Sequence, residues 1–166
     1  DEIKEARRGD DPALPQGVWK RNLKVSDWKQ TERLCITALT ERTKDLQIAL
    51  WLTEAWIQRH GISGLRYGLE VCLTLCQTFW EDLHPAIRDD DLDYRIAPLI
   101  WLNEHMTTTI RNIPLTAPSD PDLAVGSVAV WDNVLRLEKM AELQPERYEQ
   151  VKDEEVLRDD FQKSAR

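Results

Sequence analysis

KDLQIALWLTEAWIQRHGISGLRYGL, residues 44–69, decides how the chain folds. Its first part, KDLQIALWLTEAW (44–56), has the spacing of a helix. Leu46, Ala49, Leu50, Trp56, Ile57 and His60 fall near one line at steps of three and four. Ile48, Leu52 and Ala55 fill a second face, and the polar stripe that remains is narrow: Lys44, Gln47, Glu54 and Gln58. A helix apolar around most of its circumference must be covered on most sides. The spacing therefore predicts a central helix over 44–59, ended by Gly61. Trp51 is the anomaly. It lies within the polar stripe, between Gln47 and Glu54. It either packs beneath another part of the chain, with Trp19 or Leu23 as the nearest covers, or anchors a partner.

Outward from this stretch, the pattern predicts more helices. Residues 1–10 have weak helical character through Ile3 and Ala6, and GDDPALPQG (9–17) reads as a linker. Trp19, Leu23 and Val25 suit an extended strap, and Ser26 suits the N-cap of a helix to about Arg42 with Trp28, Thr31, Leu34, Cys35, Ala38 and Leu39 inward. Downstream, Ser63 caps a helix over 64–83 whose inward line is Leu65, Leu69, Cys72, Cys76, Phe79, Trp80 and Leu83. Gly64 and Gly68, four apart on one face, let two helices approach closely. His84-Pro85 and an acidic loop lead to a helix over 93–112 with Pro98 in its first turns. Its inward positions are Ile96, Leu99, Ile100, Asn103, Met106 and Ile110, with Trp101 one residue off that line. IPLTAPSDP (113–121) is a second linker, before a helix over 123–142 carrying Val128, Trp131, Leu135 and Leu137. After Pro145 comes a charged helix over 146–164 with a thin apolar line of Tyr148, Val151, Val156, Leu157 and Phe161. The expected fold is all-α: one domain of six to seven helices around the helix at 44–59. Residues 1–17 are its extension and linker, 18–143 the core bundle and 146–164 a helix leading to a C-terminal region. Leu50, Trp56, Cys72, Phe79 and Ile100 are expected to be nearly inaccessible.

Composition narrows the chemistry. The chain has 166 residues, a length that suits one domain with a real core. Its net charge of −8 disfavours nucleic acid, which needs a basic surface, and suits either binding to basic or apolar protein surfaces or simple solubility. It has no apolar run of about 18 residues, so no membrane insertion is expected. The three cysteines, Cys35, Cys72 and Cys76, are an odd count and read as buried thiols in a reducing cytoplasm. His60, His84 and His105 lack metal-site spacing, and the run Asp89-Asp90-Asp91-Leu92-Asp93 lacks the glycine and distant glutamate of an EF-hand loop. Capping the helix near Tyr94 accounts for at least one of those carboxylates. No nucleophile elbow, phosphate-binding loop or dinucleotide fingerprint occurs, so no catalytic, cofactor-binding or metal residue is assigned. Of the seven tryptophans, Trp28, Trp56, Trp80 and Trp131 lie on apolar faces. Trp51 and Trp101 are the candidate partner-binding residues.

The same residues carry a family resemblance. K-D-L-x-x-A-x-W-L-T-E-A, then H-G-x-x-G-L-x-x-G-L, FWEDLHP (79–85), the acidic run at 89–91, RIAPLIWLN (95–103) and IPLT (113–116) occur in the family's order. Upstream, GVW (17–19) and SDW (26–28) fit a subset. Over residues 16–140 the chain resembles the N-terminal, ImpA-related domain of the TssA family of bacterial type VI secretion. The family's Pro-Cys-Gly-x-Asp-Leu-like opening is absent and there is no initiator Met, so the chain is read as an excised fragment. The resemblance implies a cytoplasmic, non-enzymatic structural module that docks onto baseplate, inner tube or sheath proteins. It also implies self-association of the full-length protein through a C-terminal region. The competing expectation is a helical ligand-binding or enzymatic domain using His60 or the 89–93 acidic loop.

Overall fold

The computed structural model describes residues 1–10, 23–118, 125–150 and 158–165. Among them are seven α-helices and no strand: α1 (Glu2–Arg7), α2 (Trp28–Glu41), α3 (Leu46–Thr78), α4 (Asp93–Arg111), α5 (Val128–Leu143), α6 (Pro145–Tyr148) and α7 (Arg158–Ser164). The all-α class read from periodicity is the class the chain adopts. The residues group into two compact units, Asp1–Glu104 and His105–Arg166, and α4 contributes to both.

The first unit is built on α3. The Asp45 carboxylate caps it, accepting from the backbone N–H of Gln47 (2.8 Å) and of Ile48 (3.3 Å). From there Leu46, Ala49, Leu50, Leu52, Thr53, Ala55 and Ile57 are all buried, as a helix apolar on most sides requires. Gly61 then takes φ 59° and ψ −133°, a conformation that side-chain-bearing residues avoid, and divides α3 into arms at 46–60 and 62–78. The second arm returns along the first. A Cβ on Gly64 would overlap the Trp56 carbonyl, and one on Gly68 would overlap the Thr53 side chain. Thr53 Oγ1 also lies 3.9 Å from Cys72 Sγ. The far end is closed by Leu46 N–H donating to the His84 carbonyl (2.8 Å) and His84 N–H donating to that of Lys44 (2.7 Å). Cys35 and Leu39 of α2 complete the core with Leu46, Leu50, Cys72, Leu75 and Leu83. The glycine pair thus serves close packing, as its spacing suggests.

Several sequence expectations are corrected. Asp27, not Ser26, caps α2, accepting from Gln30 N–H at 2.8 Å, because the Ser26 hydroxyl donates to the Arg7 carbonyl instead. The helix expected to run to 83 ends at Thr78, and Ser63 lies exposed inside α3 rather than capping a new helix. Trp56 and Phe79 are half-buried, while Leu69 and Trp80 are exposed. The largest correction is the rotation of α4. Ile96, Leu99, Ile100 and Asn103 face outward, with Ile100 50% exposed; Arg95, Pro98 and Met106 are buried and Trp101 and Leu102 half-buried. Arg95 explains it. Its guanidinium donates to the carbonyls of Pro85 (2.6 Å) and Trp80 (2.7 Å) and lies 4.8 Å from the centre of the Trp80 ring, which turns the 95/98/102 line inward.

In the second unit, Met106, Ile113, Val134 and Leu137 are buried. Ser127 caps α5, accepting from Val130 N–H at 3.3 Å, so the helix expected from 123 is helical from Val128. The Trp131 ring meets that of Phe161 of α7 in a tilted contact, centroids 5.0 Å apart, and Arg158 lies 4.9 Å from the Trp131 ring while pairing with Glu138 at 2.5 Å. Of the charged helix expected over 146–164, α6 and α7 are described and residues 151–157 lie outside the described residues. The same holds for most of the 9–17 linker and for Trp19.

Candidate functional site

Trp51 is half-buried and packs against the core cluster, as Trp101 does. Among the described residues, α1 lies over Trp51; of the strap expected to cover it, Trp19 falls outside the described residues and Leu23 is 37% exposed. Ile3 and Arg7 are four apart and share a face of α1. Ile3 packs on the core cluster. The Arg7 guanidinium carbon lies 5.0 Å from the centre of the Trp51 ring and 5.2 Å from that of Trp101. Its nitrogens reach Glu54 Oε2 at 2.6 Å, and both side chains of this ion pair are more than four-fifths buried. A cation against two indole faces with a carboxylate on its N–H edge is held by ring quadrupoles, charge and hydrogen bonds together. Lys4 lies 5.9 Å from Trp51.

The end of α1 and the residues after it are fastened to the segment that leads into α2. Asp27 N–H donates to the Ala6 carbonyl at 2.8 Å, Ser26 Oγ donates to that of Arg7 at 2.8 Å, and Asp10 N–H donates to that of Lys24 at 2.8 Å. Hydrogen bonds from Arg8 and Lys24 hold the exposed Glu5 carboxyl down at about 2. The two candidate tryptophans, 50 residues apart in sequence (101 minus 51), are therefore brought together, and the residue between them is Arg7. Sequence reasoning missed Arg7. The available signal was its place one turn after Ile3 on a common face.

The other candidates are not brought together. His60 is exposed, on the rim of a groove of about 650 Å³ beside Trp56, Tyr67, Glu70, Val71 and Leu75. The acidic loop is not among that groove's lining residues. Asp91 Oδ1 accepts from Asp93 N–H at 2.8 Å, the capping role expected for one of its carboxylates, and Asp89 and Asp90 have positive φ of 53° and 59°. Among the described residues, no group of three or more His, Cys, Asp or Glu is placed to hold a metal ion, and no helix is long and apolar enough to cross a membrane. All three cysteines are thiols; burial pushes Cys35 up to about 12 and Cys72 up to about 11.

Comparison with known proteins adds three findings. The family model for the N-terminal region of ImpA, of the type VI secretion system, matches residues 1–104. A solved structure, the N-terminal domain including the conserved ImpA_N region of the TssA component of the type VI secretion system from Burkholderia cenocepacia, is similar with a TM-score of 0.73 and 27% identity. The match covers 98% of the present chain and 59% of that one, so the chain spans under two thirds of its solved relative. No curated protein matches.

Proposed function

The chain belongs to the ImpA N-terminal family of the type VI secretion system, and we propose that it acts there as a non-enzymatic docking module of the assembly protein. Its task on this reading is to help coordinate baseplate, inner tube and sheath assembly through surface complementarity, in the cytoplasm at the apparatus. The observation that carries the reading is the span of the family match. Residues 1–104 are the same residues that form the first compact unit, so the family's signature coincides with a folded body. An acidic chain with apolar side chains exposed along α3 and α4, among them Ile62, Leu73, Leu99 and Ile100, is suited to protein partners. We further propose that the full-length protein self-associates through a C-terminal region, with these 166 residues as its docking arm.

A pull-down of the chain against separately purified sheath, baseplate and tube proteins tests this. Retention of one component and not the others is the expected result. Failure to retain any of them would remove the docking role from these residues.

A further inference from the structure

We propose that Trp51, Trp101 and Glu54 form a receptor for an arginine side chain, that α1 fills it in cis through Arg7, and that an arginine-bearing segment of a partner protein takes the place of α1. The chemistry of the receptor is specific to a guanidinium. Two indoles lie at 5.0 and 5.2 Å from its carbon, and Glu54 meets its nitrogens at 2.6 Å. A planar, delocalised cation offers faces to both rings and N–H groups to the carboxylate at once; an ammonium does not.

The resident occupant is built to be exchangeable. α1 is six residues long, has no side-chain cap and buries none of its own residues fully. Isolated helices shorter than about 12–15 residues are marginal in water, so the order of α1 depends on what it docks against. Its grip includes Arg7, Ile3, Lys4 over the Trp51 ring, the Glu5–Lys24 ion pair and the hydrogen bonds around residues 26 and 27. The core beneath it, from Leu46 to Ile57, is buried by α2 and by the second arm of α3 rather than by α1 alone. A competing segment therefore needs what α1 supplies: an aliphatic residue and, four positions later, an arginine. The chain's net charge of −8 favours approach of such a basic segment.

Nuclear magnetic resonance on the full chain and on Arg7→Ala tests the proposal. In the variant, the Asp27 amide, which donates to Ala6, is expected to exchange about tenfold faster or more, with the Thr53 and Ala55 amides unchanged. The indole N–H signals of Trp51 and Trp101 should shift, and should move back on titration with N-acetylargininamide but not with N-acetyllysinamide. The unaltered chain should respond to neither. Arg7→Lys is expected to release α1 in part. Four results would overturn the proposal: the Asp27 amide stays protected in Arg7→Ala; Thr53 and Ala55 lose protection with it, making α1 part of the core; the two indoles ignore added arginine; or Arg7→Lys docks as well as arginine. An Arg7-dependent dimer in light scattering would assign the receptor to a second copy's α1 and overturn the partner assignment.

Discussion

Leu50 has no exposed surface and belongs to the core cluster with Cys35, Leu39, Leu46 and Cys72. Leu50→Ala is expected to cost about 2–5 kcal/mol, the range for large-to-small changes in a packed core. The check is the midpoint of chemical denaturation; an unchanged midpoint would remove the central role of the first arm of α3. Two arginines show the opposite relation between residue type and place. Arg95 is 2% exposed, and Arg7 is four-fifths buried against two indoles. Each is accommodated because its nitrogens are met, Arg95 by two backbone carbonyls and Arg7 by Glu54. Reading arginine as a surface residue is sound for most arginines and hides these two, which set the rotation of α4 and the seat of α1. Trp51 is explained by the second of them: an indole on a polar stripe is covered when a cation from another helix lies on its face.

At the scale of elements, α3 is a hairpin made by one residue. Gly61 supplies the turn, and Gly64 and Gly68 let the returning arm pack within backbone distance of the first. The two packing glycines differ in what opposes them. At Gly64 a methyl group would meet the Trp56 carbonyl and the Ile57 nitrogen, which are backbone; at Gly68 it would meet the Thr53 side chain. Overpacking a well-filled core costs about 1–3 kcal/mol, occasionally more, so Gly64→Ala is expected at or above the top of that range and Gly68→Ala below it. Thermal denaturation of the two variants gives the order; equal losses would mean that the arms separate as rigid bodies. The α4 helix shows what periodicity leaves open. The lines 96/99/100/103 and 95/98/102/106 both have helical spacing. Composition favours the first, and the carbonyls of Trp80 and Pro85 select the second.

At the scale of the molecule, the exposed apolar side chains bear on assembly. They are spread over several helices, among them α3 at Ile62, Leu69 and Leu73, α4 at Ile96, Leu99 and Ile100 and α5 at Val128, Leu135 and Leu143. The apolar line of the last charged segment, 146–164, is too thin in sequence for a strong coiled-coil seam, which needs repeated apolar heptads. The chain by itself is expected to be monomeric or weakly dimeric, as light scattering would show; a stable hexamer would move assembly into these residues. The sequence by itself determined the all-α class, the apolar helix from about residue 44, the break at Gly61, the packing role of Gly64 and Gly68, and the family, because each is written in local spacing or in an ordered set of motifs. Only the tertiary structure decided which line of α4 turns inward, that α1 packs over Trp51, and that Trp51 and Trp101 share Arg7. Periodicity names the faces of a helix but not the partner each face meets. That choice rests on contacts between residues far apart in the chain, and here on where two guanidinium groups find acceptors.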